Sequence, residues 1–196
     1  MEGATTRMKI GIPHFAAALR EIRTEEFVPA RLNPILENLE LIQSSVDRYT
    51  KWRPGGYTRN LVYANPEFEL IVLCWDAGSA SAVHDHAGQQ CWFVAHSGVF
   101  TVENYELISG GRRPGSAHLE ATDVLRGVTT GMPDYRAPEK NEIHRVSVAQ
   151  DAGRAISIHV YAKPLAECLV FDPQAAICAQ KRIGYDNVPH ERILVA

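Results

Sequence analysis

Apolar residues recur at helical intervals over the first 50 positions and then crowd into short dense runs, so the chain changes character once. Residues 15–22 (FAAALREI) and 35–42 (ILENLELI) carry the spacing of two amphipathic helices, separated by a break holding Pro29 and Pro34. Beyond residue 50 the texture is β. Residues 69–75 (ELIVLCW) and 90–95 (QCWFVA) are apolar enough for buried strands, and His96-Ser97-Gly98 is a turn into a returning strand at 99–105. Further strands are predicted at 143–148 (IHRVSV), 155–161 (AISIHVY) and 168–171 (CLVF), with loops around Gly110-Gly111, Pro114-Gly115, 131–133 and Ala137-Pro138. Many short strands at close spacing favour a closed barrel or sandwich over a βαβ fold. The expected organisation is mainly β in one domain: a helical layer over about 1–48, a barrel over about 50–175, and a C-terminal tail.

Composition narrows the function without naming it. A chain of 196 residues with 45% hydrophobic content can bury a sizeable core. A net charge of −3, with no basic run, gives no nucleic-acid surface. No segment is long and apolar enough to span a bilayer, and the start lacks an apolar export segment, so a cytoplasmic protein with no membrane partner is expected, as a monomer. Cys74, Cys91, Cys168 and Cys178 form no C-x-x-C pair and are expected to be free thiols.

The densest chemistry lies between Gly78 and Gly98. His84 and His86 stand one residue apart in a segment of small and β-forming residues, so an extended backbone would project both imidazoles from one face. His144, in a later β-like run, is the best third ligand. Alone it would more often be an interior histidine bonded to backbone, but the glycine-framed pair upstream reverses those odds. Three neutral imidazoles suit a divalent transition metal and leave coordination positions open. His14, His96, His118 and His190 have no partner in the pattern. Ser157, His159 and Tyr161 occupy alternate positions of one strand, opposite Ile156, Ile158 and Val160. Such a face lines either a polar cavity or solvent. Arg59, likewise, is either a solvated strand residue or a guanidinium poised for a carboxylate. Trp75 is expected in the barrel core.

The glycine-framed His84-Asp85-His86 resembles the first motif of the cupins, double-stranded β-barrels (jelly rolls) that hold a metal inside. Where cupins usually supply a carboxylate ligand, this chain has Cys91. Four blocks resemble the cysteine dioxygenases more specifically: residues 57–62, 73–91, 143–146, and 157–161 with Glu167-Cys168 and Phe171-Asp172. The resemblance implies that His84, His86 and His144 hold Fe(II), at which L-cysteine and O2 react to give cysteine sulfinate. It implies that Arg59 pairs with the substrate carboxylate, with Tyr57 nearby. It also implies that Cys91 and Tyr161 join in a thioether, that Ser157 and His159 orient the tyrosine hydroxyl, and that Trp75 is its aromatic neighbour. Two departures are visible. The stretch 139–144 lacks the proline–glycine spacing of a second cupin motif, although Pro138 is close, and the tail from Gln174 shows little resemblance. The alternatives are a dioxygenase of another thiol acid such as 3-mercaptopropionate, in which glutamine often replaces the arginine, or a cupin that binds a metal or small molecule without turnover.

Overall fold

The computed structural model describes residues 8–110, 112–137 and 142–188. Positions 138–141 and His190, singled out in the sequence, lie outside them. The elements in chain order are β1 (Met8–Ile10), α1 (Ile12–Arg20), α2 (Pro29–Glu37), β2 (Leu39–Leu41), α3 (Gln43–Val46), β3 (Tyr57–Ala64), β4 (Phe68–Trp75), β5 (Val83–His84) and β6 (Cys91–Ser97). They continue as β7 (Phe100–Gly110), β8 (Gly115–Val128), β9 (Asp134–Arg136), β10 (Ile143–Val148), β11 (Ala155–Ala162), β12 (Glu167–Asp172) and β13 (Ile177–Arg182). Strands β10-β5-β12-β13-β8-β7 close on themselves, and a five-stranded sheet is ordered β3-β4-β11-β6-β9.

The five-stranded sheet is buried on both faces, which explains why β4 reads as an unbroken apolar run rather than an alternation. Leu70, Val72 and Cys74 of β4 and Ile156, Ile158 and Val160 of β11 pack outward on Phe15, Leu19, Leu32 and Leu36 of the helical layer. Ile71, Leu73 and Trp75 point inward with Phe93, Phe100 and Tyr161. The polar face of β11 therefore lines the interior, and the solvent alternative for Ser157, His159 and Tyr161 is excluded.

The N-terminal layer departs from expectation. Residues 29–34, predicted as a break, form most of α2, while the predicted helix at 35–42 ends at Glu37. Pro29 begins α2, where a missing N–H costs nothing. Pro34 lies inside this nine-residue helix, whose Leu32 and Leu36 are fully buried. Leu39 and Leu41 bury alternate positions of a strand parallel to β1, a period of two that a helical count of the same residues misses.

Strands β8 and β13 have no hydrophobic signature because they bury so little: only Ala117 and Val128 of β8, and Cys178 of β13, are buried. Gly98, in the β6–β7 turn, has φ +83°, and a Cβ built there would lie 2.5 Å from the Ala155 Cβ. Gly98→Ala is expected to lower the unfolding free energy by about 2 kcal/mol, because strain and a backbone clash coincide. An unchanged urea midpoint would show that the turn relaxes at no cost.

Candidate metal centre

Two strands and one loop bring the histidines together. The segment before β5 is tied to β10, since Ser81 N–H donates to the Val146 carbonyl at 2.8 Å and Val146 N–H donates to Ser81 Oγ at 3.0 Å. His144 of β10 then lies directly across from His84 of β5. β5 is only two residues long, so His86 lies beyond its end rather than on one long strand with His84. Asp85 holds this stretch in place: its N–H donates to the Leu169 carbonyl at 3.1 Å, and its Oδ1 accepts from Leu169 N–H at 2.8 Å. Clamped this way, one nitrogen from each of His84, His86 and His144 lies within 4.8 Å of the others.

The three rings are suited to a metal rather than to one another. His84 Nδ1 lies 2.9 Å from the Ala82 carbonyl, which fixes its proton there and leaves Nε2 as a lone-pair donor. His86 and His144 are buried, and Nδ1 of each has no hydrogen-bond partner. Burial lowers the pKa of all three, helped by the neighbouring His84 ring for His86 and by Arg136 for His144; for His84 the value is about 4. Neutral imidazoles with unused ring nitrogens are what a divalent transition metal requires. No carboxylate joins this cluster among the described residues. Three other histidines stand apart: His96 meets Gln43 at 2.9 Å, His118 meets Ser109 at 3.3 Å, and His14 is exposed.

Beside the histidines, the inner face of β11 carries a hydrogen-bonded row. Trp75 Nε1 donates to Ser157 Oγ at 2.8 Å, and Ser157 Oγ lies 2.9 Å from His159 Nε2. The indole can only donate, so Ser157 Oγ accepts from Trp75 and uses its remaining hydrogen-bonding capacity toward His159 Nε2. Trp75, expected as core, is both core and the first member of this row. His159 Nδ1 is buried without a partner, so the expected hydrogen bond from His159 to the Tyr161 hydroxyl is not formed here; the two rings instead lie nearly parallel, with centroids 6.0 Å apart. Cys91 of β6 stands directly across from Tyr161. Burial raises both the thiol and phenol pKa values, so neither ionises readily. The Tyr161 ring lies 5.8 Å from that of His86.

Comparison with known proteins gives this arrangement a family. The sequence profile described as Cysteine dioxygenase type I matches residues 12–174. The chain belongs to that family. Within it, the chain is 28% identical to cysteine dioxygenase type 1 of Danio rerio over 71% of its own length and 64% of that protein, slightly under two thirds. It is 26% identical to the Rattus norvegicus protein over 91% of its own length and 80% of that protein. A solved structure, TT1209 from Thermus thermophilus, aligns with a TM-score of 0.42 at 18% identity, covering 60% of this chain and 93% of that one. This cysteine dioxygenase family member has a mainly β fold with N-terminal helices, and a three-histidine site that implies a metal.

Residues of β3 pack against the row beside the histidines. Tyr57 stacks on Trp75 with centroids 4.5 Å apart, and Arg59 is only 8% exposed, which excludes a solvated strand arginine. The Arg59 guanidinium carbon sits 5.6 Å from the Tyr161 ring centroid, and Nη2 donates to Glu69 Oε1 at 3.2 Å. Burial works against the Arg59 charge, but Tyr161 and Glu69 beside it outweigh burial and raise its pKa. Sequence reasoning missed Glu69, whose one signal is an acid heading the apolar run ELIVLCW. It missed Arg136 as well: fully buried, across from Cys91, and bonded to Asp134 at 2.7 Å and to Asn104. Asn104 in turn lies across from His144, so this buried pair braces the strands that carry Cys91 and a histidine. A cavity of about 830 Å³ reaches Asp85 and Cys168 but none of the three histidines.

Proposed function

We propose that this protein is a thiol dioxygenase that converts L-cysteine and O2 to cysteine sulfinate at an iron(II) held by His84, His86 and His144. Both oxygen atoms enter the product and the sulfur loses four electrons to O2, so no outside reductant is needed. The observation that carries this reading is a carboxylate-free trio of neutral imidazoles with a buried arginine close by, since the Tyr161 ring lies 5.8 Å from that of His86 and 5.6 Å from the Arg59 guanidinium carbon. When bound, iron(II) supplies the electron transfer that lets O2 react with a thiolate. A neutral ligand set also lets an anionic thiolate approach without accumulating negative charge at the metal.

The protein's own groups position the reactants. Arg59 holds the substrate carboxylate through charge-assisted donors, and Tyr57, stacked on Trp75, limits the space around it. Trp75 and Ser157 hold the His159 ring in place, and that ring lies nearly parallel to Tyr161 with centroids 6.0 Å apart. The Tyr161 hydroxyl, neutral because it is buried, offers a proton beside the metal ligands. Arg59 favours a thiol acid, and an arginine where 3-mercaptopropionate enzymes often hold glutamine favours L-cysteine. The test is anaerobic loading with Fe(II), followed by oxygen uptake and sulfinate detection with L-cysteine, 3-mercaptopropionate and cysteamine. Stoichiometric sulfinate from L-cysteine supports the proposal. Metal binding without oxygen uptake on any of the three overturns it.

We also propose that Cys91 and Tyr161 become cross-linked during turnover. The Cys91 S–H and one ring C–H of Tyr161 are lost, an S–C bond forms, and two electrons and two protons pass to O2. Their facing register in β6 and β11 supports this. Aerobic incubation with iron and L-cysteine is expected to lower the intact mass by about 2 Da and to produce a faster band on a reducing denaturing gel. Cys91→Ser is expected to abolish that band. A single band with no mass change in peptides containing the two residues would overturn the cross-link.

A further inference from the structure

Glu69 is a fully buried carboxylate inside the barrel. It begins the inward face of β4, continued by Ile71, Leu73 and Trp75, and lies directly across from Tyr161 of β11. Each oxygen has a donor: Arg59 Nη2 lies 3.2 Å from Oε1, and the Tyr185 hydroxyl donates to Oε2. The Arg59 side chain is also buried, and its Nε has no hydrogen-bond partner. A guanidinium binds oxyanions along its edges. Glu69 and Tyr161 occupy part of that donor set, and Nε is left without a partner.

We propose that Glu69 is a specificity-determining residue that sets how strongly the site prefers thiols bearing a carboxylate over thiols lacking one. This rests on the assignment of Arg59 to the substrate carboxylate. Glu69 anchors the guanidinium but also cancels much of its charge. An incoming carboxylate then meets a nearly neutral pair and gains mainly from directed N–H donors, while feeling repulsion from Glu69 that a dry cavity screens poorly. Tyr185 tempers that repulsion by donating a hydrogen bond to the same carboxylate. Two substitutions should therefore act in opposite directions. Glu69→Gln keeps an oxygen for Arg59 and removes the negative charge. Tyr185→Phe keeps the charge and removes the donor that disperses it.

The experiment is anaerobic calorimetric titration of the iron-loaded protein with L-cysteine, 3-mercaptopropionate and cysteamine, followed by steady-state kinetics. Glu69→Gln is expected to tighten both carboxylate-bearing thiols about tenfold and to move cysteamine by less than about twofold, through KM more than kcat. Tyr185→Phe is expected to weaken the two acids a few-fold and leave cysteamine where it was. A purely structural Glu69 would shift all three ligands alike, and an unchanged ratio of acid to cysteamine affinity in Glu69→Gln overturns the proposal. If that variant does not fold, an unchanged ratio in Tyr185→Phe overturns it equally. If the wild-type protein binds no thiol, the thiol dioxygenase assignment fails separately. Propionate, followed by its shift of the thermal midpoint, then decides the role of Glu69: stronger stabilisation of Glu69→Gln than of wild type sustains it, and equal stabilisation ends it.

Discussion

Replacing His84, His86 or His144 by alanine is expected to remove most bound iron and abolish thiol oxidation, the largest effect any substitution in this protein should have. The three nitrogens lie within 4.8 Å of one another, and no other His, Cys, Asp or Glu among the described residues joins them. Loss of one ligand leaves two, and even partners outside the first ring of ligands commonly change metal affinity ~10- to 100-fold, so a ligand should cost more. Metal analysis after dialysis, with oxygen uptake on L-cysteine, checks this. His96→Ala and His118→Ala should keep their metal, since both histidines have their own polar neighbours elsewhere. Wild-type iron content and turnover in any one of the three ligand variants would remove that residue from the site.

Arg59→Gln is expected to lower kcat/KM for L-cysteine by about 30- to 700-fold, which corresponds to roughly 2–4 kcal/mol for a charge-assisted carboxylate contact in a closed pocket. Cysteamine, which has no carboxylate, should change little by comparison. Arg59 is paired with a carboxylate that is itself fully buried, so its removal strands Glu69. Burial already pushes the Glu69 carboxyl upward, and the stranded group would relieve its charge by taking up a proton. The double variant Arg59→Gln, Glu69→Gln separates the two effects. It should regain stability lost in the single variant, measured by urea unfolding, but not its turnover of L-cysteine. Unchanged kinetics on L-cysteine in Arg59→Gln would mean that the carboxylate is held elsewhere, with the fully buried Arg136 as the next cation to test.

Much of the site is legible in the sequence because its chemistry is carried by short motifs. His84 and His86 announce themselves by spacing and by the glycines around them. The inward row Ser157, His159 and Tyr161 is visible because β11 alternates strictly, and alternation survives in sequence whenever one face is polar. What escapes is polar chemistry embedded in apolar surroundings. Glu69 looks like the edge of a hydrophobic strand, and Arg136 follows a turn-rich stretch with no periodicity to mark it. Elements escape for a related reason: β8 and β13 are exposed along most of their length and so carry no hydrophobic pattern. Residues 29–42 mislead because proline reads as a helix break where it starts a helix, and a three-residue strand merges into a helical count.

By itself, the sequence determined a mainly β chain with a helical layer in front, the three imidazoles that could bind a metal, and the polar row beside them. Each of these depends on periodicity or spacing over a few neighbouring residues, and local geometry converts such spacing directly into direction. Only the tertiary structure decided that Arg59 is inside and already engaged by Glu69, that Tyr185 completes that pair from 116 residues away, and that Cys91 faces Tyr161 across two strands. Those relations depend on strand order and register, which follow from closing the barrel and packing the sheet against its helices, and no local pattern encodes them.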